Sequence, residues 1–217
     1  MKHVTDNVLN EFINACRRIG RLGLVTASAG NLSWRLDDGH FLISGSGSWL
    51  AEITPAEVTV CRLEEGGPIE GAKPSMEIGL HAGILRMRPD CRVVLHCQSV
   101  HATTVACLPP DNTETFDLIP ELPFHVGAVA IVDYQEPGSQ ELAKAVTAAM
   151  QDHNLVLLIN HGQVTAGKNF AETIKRALFF EFVCELLCKS QNRAKPMNRE
   201  EANRLRKRSG SAATKSI

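Results

Sequence analysis

Hydrophobic positions recur at helical spacing from the start of the chain. Val8, Leu9, Phe12, Ile13, Cys16 and Ile19 fall on one face, and Thr5 or Asp6 stands where a helix cap is needed. A Gly/Ser-rich stretch, TASAGNLSWR, follows, then a short hairpin through Asp38-Gly39 into FLIS. SGSGSWLAEITPAE reads as a loop, Glu57 to Leu63 as a strand, and Gly66-Gly67 as a turn. Ser75 can cap a helix running to about Arg88. Strand RVVLHC precedes a helix near 99–107, and the Pro-rich 109–127 reads as loop. VAIVD is a strand, Ser139 opens a helix to about Gln151, and LVLLI is a strand. NHG then leads to a long helix over roughly Ala171–Cys188, and Pro196 separates it from a last helical piece, Arg199–Arg208. Strands alternating with helices argue an α/β fold whose sheet is covered by helices. That alternation, by itself, suggests a substantially parallel sheet. No internal repeat stands out.

Composition narrows this little. The 217 residues fit one domain, and a 44% apolar fraction is ordinary for a globular protein. No apolar run approaches the ~20 residues of a membrane span, and the N-terminal segment has no secretory pattern. Seven cysteines form no CxxC, which fits reduced core thiols in a cytoplasmic protein. Charge changes the picture more. Residues 193–217 hold eight Lys/Arg against two Glu, so a tail of about +6 follows a body of about −7. The tail has no aromatic residue to stack on bases, and a short amphipathic helix with a frayed end explains it without nucleic acid.

The candidate chemistry lies in two histidines. His96 ends the apolar run VVL, and His161 follows LVLLIN. Imidazoles at the ends of neighbouring buried strands can face one small site, and a divalent metal is the common reason to place them there. Gln98 stands two positions beyond His96 and shares its side of an extended chain. Glu77 and His81 are four apart and share a helix face. A site of Glu77, His96, Gln98 and His161 is therefore geometrically reasonable, with His101 as a candidate outer partner for a ligating imidazole. The bland alternative is a pair of core histidines satisfied by carbonyl groups. Three segments suit a small anion: Gly30-Asn31, the Ser44–Gly47 loop with its backbone N–H groups, and Pro74-Ser75 at a helix start.

Taken in order, RLGLVTASAGNLSWR, LISGSGSWL-x-x-ITPAE, KPSMEIGLHAGIL-x-x-RPD, VVLHCQSVHATTVA, PGSQELA and LLINHG resemble the class II aldolase/adducin family from about Arg21 to Gly167. The resemblance implies a three-layer α/β/α sandwich around a largely antiparallel sheet. It implies a single domain over 1–192 followed by the basic helix and tail of 193–217. It also implies a homotetramer with sites between subunits, and one divalent metal per site, usually zinc. By this likeness His96 and His161 are metal ligands and Glu77 is the catalytic acidic residue. Gly30, Asn31, Ser46, Gly47 and Ser75 would bind a substrate phosphate. The implied activity is cleavage of a ketose 1-phosphate, of the L-fuculose type, to dihydroxyacetone phosphate and an aldehyde through an enediolate. An epimerase, a decarboxylase or a non-catalytic adducin-like assembly module stay open as alternatives.

Two departures bear on that set. The family's His-x-His reads His96-Cys97-Gln98 here, so an amide oxygen would replace an imidazole, which zinc tolerates and Mn²⁺ or Mg²⁺ suits. Met76 stands where the aldolases have a second serine. The tyrosine that the aldolases borrow from a neighbouring subunit has no evident equivalent, since Tyr134 is the sole tyrosine; His125 is the candidate to supply or relay that proton.

Overall fold

The structure, a computed structural model, describes residues 4–108 and 115–210. His3, Pro109, Pro110 and the end of the basic tail lie outside the described residues. Helix α1 (Asp6–Arg21) is capped by Thr5, whose hydroxyl accepts from Val8 N–H. Two strands, β1 (Gly30–Arg35) and β2 (His40–Ser44), form the hairpin expected at Asp38-Gly39. β3 (Val58–Arg62) and β4 (Pro68–Gly71) follow. Then come α2 (Ile78–Met87), β5 (Val93–Cys97), α3 (Val100–Ala106) and a single π-type turn, Leu122–Val126. The chain continues through β6 (Val129–Val132), α4 (Gln140–Ala149), β7 (Leu155–Leu158) and β8 (Gly162–Gly167). It ends in α5 (Phe170–Lys189) and α6 (Arg199–Ser209).

Eight strands make one sheet in the order β4-β3-β2-β1-β5-β8-β7-β6. Only β6 and β7, joined through α4, run parallel; every other neighbouring pair is antiparallel. The expectation of a more parallel sheet, drawn from alternation, is corrected here. Short turns join β1 to β2, β3 to β4 and β7 to β8, too short for parallel crossovers, so these pairs are antiparallel.

Strand alternation sorts the core into layers. Val93 and Leu95 pack with Leu32, Val60 and the apolar stripe of α1. Val94 points the other way, into a cluster with Val156, Val164, Leu80, Ile84 and Val146 from β7, β8, α2 and α4. A third cluster joins α3, the π-type turn and α5. The result is helices on both faces of the sheet, the α/β/α sandwich expected from the resemblance. Among the described residues no helix is long and apolar enough to cross a membrane.

Three readings change. Gly30–Arg35, taken as part of a Gly/Ser-rich stretch, is strand β1, and Asn31 and Ser33 are its buried polar face. β4 and β8 were not expected at all. β8 reads GQVTAG and is buried along its whole length, so no alternation with a polar outer face betrays it. Its glycines answer close contacts. A Cβ on Gly162 would come within 2.6 Å of the Cys97 carbonyl oxygen, and one on Gly167 within 2.6 Å of Thr173 Oγ1. Ser75 does not begin α2; its hydroxyl accepts from the N–H of Glu77, the residue that caps the helix.

The basic C-terminal segment is tied to the domain. Arg206, 3% exposed, donates through Nη2 to both carboxylate oxygens of buried Asp117, and Met197 N–H donates to Asp117 O. Removing one partner leaves an uncompensated buried charge. Arg206→Ala should weaken the docking of α6 by about 3–5 kcal/mol, seen as faster amide exchange across that helix. Arg204→Ala, on the exposed face, should leave the same exchange unchanged to within about 0.5 kcal/mol.

Candidate metal centre

The register of the sheet assembles the site. β1 lies beside β5 with Asn31 opposite His96, and β8 lies on its other side with Val164 opposite His96. His96 points to the α2 side of the sheet, and the next residue, Cys97, packs on the α1 side, turned away as strand geometry demands. His161 sits in the β7–β8 turn behind Asn160, whose φ of +55° is the left-handed conformation that asparagine tolerates well. Glu77 arrives from the start of α2.

Glu77, His96 and His161 converge. His96 Nε2 is 3.2 Å from Glu77 Oε2, and His161 Nε2 is 3.5 Å from Glu77 Oε1. One ligand atom from each lies within 4.8 Å of the other two. The two imidazoles meet edge to face at 4.7 Å between ring centres. His96 is fully buried, and its Nδ1–H donates to the Gln163 carbonyl at 3.0 Å, leaving Nε2 as an acceptor faced by Glu77 and the Gln98 amide. This outer partner belongs to the unexpected strand β8. His101, expected in that role, instead meets Glu181 of α5 at 2.9 Å, because α3 carries it to the other side of the sheet.

Burial alone would push the Glu77 carboxyl up; His96, the Asn31 hydrogen bond, His161 and His81 outweigh it and hold the group below its usual range. Burial pushes the His161 imidazole down, and His96 pushes it further, while Glu77 opposes. The result is a carboxyl group held toward its ionised form beside a His161 imidazole held toward its neutral form, the states that ligation requires.

A divalent cation fits these residues. Glu77 Oε1, His161 Nδ1 and Gln98 Oε1 are buried and lack a hydrogen-bond partner. Buried acceptors without donors are costly, and Glu77 Oε1 and Gln98 Oε1 are two such acceptors on groups that line one small volume with His161. Gln98 falls in the same place: its amide nitrogen is 2.8 Å from His96 Nε2. That amide N–H occupies the lone pair an ion would need, so the amide must turn its oxygen inward for Gln98 to ligate. Gln98→His should therefore tighten zinc binding on the order of tenfold or more. Calorimetric titration measures it, and an unchanged affinity would remove Gln98 from the metal's surroundings.

Above these groups opens a cavity of about 230 Å³, lined on one side by Glu77, Gln98 and His161 and on the other by Gly30, Ser46 and Ser75. Asn31, Gly47 and Met76 also line it, and among the described residues no Lys or Arg does. The sequence-predicted anion residues do converge here. Their chemistry differs from the expectation for the loop, however. Gly45 and Ser46 N–H are taken by the carbonyls of Glu57 and Lys73, so the loop contributes serine hydroxyls more than free backbone amides. His125 does not line this cavity. Its ring stacks on Phe179 at 5.2 Å, and its carbonyl accepts from Arg176 Nε. Tyr134 is 57% exposed beyond the end of β6. His81, singled out in the sequence only for sharing a face with Glu77, is buried beside the site and hydrogen bonded to Ser33 and Asn31.

A buried Glu-His-His cluster beneath a hydroxyl-lined cup, on an α/β/α sandwich, is the arrangement of a potential divalent-metal site. The chain belongs to the class II aldolase and adducin N-terminal domain family, whose model matches residues 10–188. It is 37% identical over 151 residues to a 3-oxo-tetronate 4-phosphate decarboxylase of Pectobacterium atrosepticum, covering 68% of each chain. It is 32% identical over 178 residues to an L-fuculose phosphate aldolase of Methanococcus maripaludis, covering 82% of this chain and 94% of the relative. Among solved structures, YgbL of Klebsiella pneumoniae superposes with a TM-score of 0.85 at 29% identity, over 92% of this chain and 98% of that one.

Proposed function

We propose that the protein is a metal-dependent lyase that makes the enediolate of dihydroxyacetone phosphate by decarboxylating a phosphorylated 3-oxo sugar acid. The observation that carries this reading is the buried Glu77 carboxylate, set between two imidazoles at the floor of an anion cup. His96, His161 and Glu77 would hold the ion, with Gln98 as a fourth ligand. Zinc suits the imidazoles, and Mn²⁺ or Mg²⁺ would suit the added oxygen donors. Bound there, the ion would supply Lewis acidity against the negative charge that develops on two adjacent substrate oxygens.

The chain's own residues do the rest. Ser46 and Ser75 donate hydroxyl hydrogens to the phosphate, with Gly30, Asn31 and Gly47 shaping the cup and the N-terminus of α2 supplying positive potential. This grip fixes the reacting carbon over Glu77. Loss of CO2 leaves the bond's electron pair on the carbon next to the carbonyl. One proton, drawn from solvent and delivered by Glu77, then completes dihydroxyacetone phosphate when the substrate is 3-oxo-tetronate 4-phosphate. Decarboxylation needs no base to take the proton of a hydroxyl that becomes an aldehyde, and among the described residues Glu77 is the one carboxylate lining the cup.

Aldol cleavage of a ketose 1-phosphate is the second reading, favoured by the Methanococcus relative matched over nearly its whole length. It yields the same enediolate and needs one further group to accept the proton of the hydroxyl on the departing carbon, which becomes the aldehyde. In that reading His125, presented at the surface with Phe179, serves the site of a neighbouring subunit in a homotetramer. Purified enzyme loaded with Zn²⁺ or Mn²⁺ should release CO2 and dihydroxyacetone phosphate from 3-oxo-tetronate 4-phosphate faster than it releases aldehyde from L-fuculose 1-phosphate. The opposite ranking selects the aldolase. Turnover of neither, with no solvent exchange into dihydroxyacetone phosphate, overturns both.

A further inference from the structure

Glu77 is held by a chain of three side chains that begins on β1 and passes through α2. Asn31 and Ser33 are alternate residues of β1 and face α2 together, flanking Leu32, which faces α1. His81, fully buried on α2, uses both ring nitrogens on them. Nδ1 is 2.7 Å from Ser33 Oγ, and Nε2 contacts Asn31 Oδ1. Asn31 Nδ2 then donates to Glu77 Oε2 at 3.1 Å.

The polarity of this chain is set by its last member. An ionised carboxylate only accepts, so the Asn31 amide must turn its NH2 group to Glu77 and its oxygen to His81. That oxygen also only accepts, so His81 must carry its hydrogen on Nε2. Nδ1 is then a lone pair, which takes the Ser33 hydroxyl hydrogen. Each link of the chain uses one donor and one acceptor, all in one direction. One carboxylate oxygen is thereby fixed, while Oε1 has no hydrogen-bond partner.

We propose that His81 is a positioning residue: through Asn31 it fixes the rotation of the Glu77 carboxylate, so that one oxygen is anchored and the other is presented to the reacting carbon. This rests on Glu77 as the proton carrier of the reaction proposed above. A buried histidine that only filled the core would be satisfied by any acceptor. Here both partners are side chains on one strand face, and the second leads straight to Glu77. Asn31 keeps a second amide hydrogen for the substrate's anion, so the same residue can link phosphate binding to the orientation of the base.

Two measurements test this separately. In protein labelled with ¹⁵N-histidine, His81 should show a single neutral tautomer with the hydrogen on Nε2 at pH 7, with or without substrate chemistry. Hydrogen on Nδ1 would reverse the whole chain and overturn the proposal even if no reaction had been found. In the activity arm, wild-type enzyme that exchanges no solvent hydrogen into dihydroxyacetone phosphate overturns the functional reading, and with it the catalytic role of His81. Where the wild type does exchange, His81→Leu should lower kcat and the exchange rate together by about 10- to 100-fold, the range for losing an outer-shell partner. KM should stay within about threefold. His81→Gln, which keeps an N–H donor, should recover part of the loss. A His81→Leu enzyme with wild-type kcat, or a loss confined to KM, would overturn it. Should that variant not fold, the tautomer decides.

Discussion

Glu77→Gln is expected to lower turnover by about 10²- to 10⁴-fold, the span that a positioned acid–base group commonly supplies, while KM changes no more than a few-fold. The substitution is nearly isosteric. It keeps an acceptor for Asn31 and removes the exchangeable proton and the negative charge between His96 and His161. In the proposed reading the phosphate is held by the Ser46 and Ser75 hydroxyls, which the change leaves alone. Exchange of solvent hydrogen into dihydroxyacetone phosphate, followed by NMR in D2O, isolates the proton step from the bond cleavage. It should fall in proportion to turnover. Metal content of the variant must be measured alongside, since a carboxylate that also ligates would take some of the ion with it. Full exchange in a Glu77→Gln enzyme that still carries metal would show that another group moves the proton.

His96→Ala should be as severe through a different route. The imidazole contributes a lone pair fixed in direction by the Gln163 carbonyl, in a place closed to solvent. Its loss should weaken affinity for Zn²⁺ by roughly two to three orders of magnitude, more than the 10- to 100-fold typical of an outer partner. Activity at limiting metal should disappear and return only in part with excess ion. The Gln98 amide would also lose its acceptor, and the Gln163 carbonyl its donor. About 1–3 kcal/mol per stranded buried group should appear as lost stability in the metal-free protein. Wild-type protein purified without chelator should hold close to one ion per chain. If it takes up neither Zn²⁺ nor Mn²⁺, and His96→Ala behaves like it, the cluster is a structural ion pair, and the adducin-like assembly reading gains.

Much of this was written along the chain, and the reason differs from element to element. The apolar stripe of α1 is legible because its opposite face meets water, so burial prints a period of 3.6 on the residues. Runs such as VVLHC and LVLL are legible because β-branched and leucine residues buried on both faces leave no other element to form. The ligand candidates were legible because a histidine at the end of such a run is chemically out of place. Gly30, Ser46, Gly47 and Ser75 were named as anion residues from likeness, and they do surround one cavity with Glu77.

Which residues could ligate, which helices form and where the caps of α1 and α4 lie were legible from local sequence, because those properties depend on contacts within a few residues. Strand direction, the place of β8 and the polarity of the Ser33–His81–Asn31–Glu77 chain were decided only by the tertiary structure. GQVTAG becomes a strand because β5 and β7 offer it partners on both sides. Asn31 becomes the holder of Glu77 because register sets it opposite His96 beneath α2. Such choices are made by groups tens of residues apart, whose hydrogen bonds have value only once water has been excluded from between them.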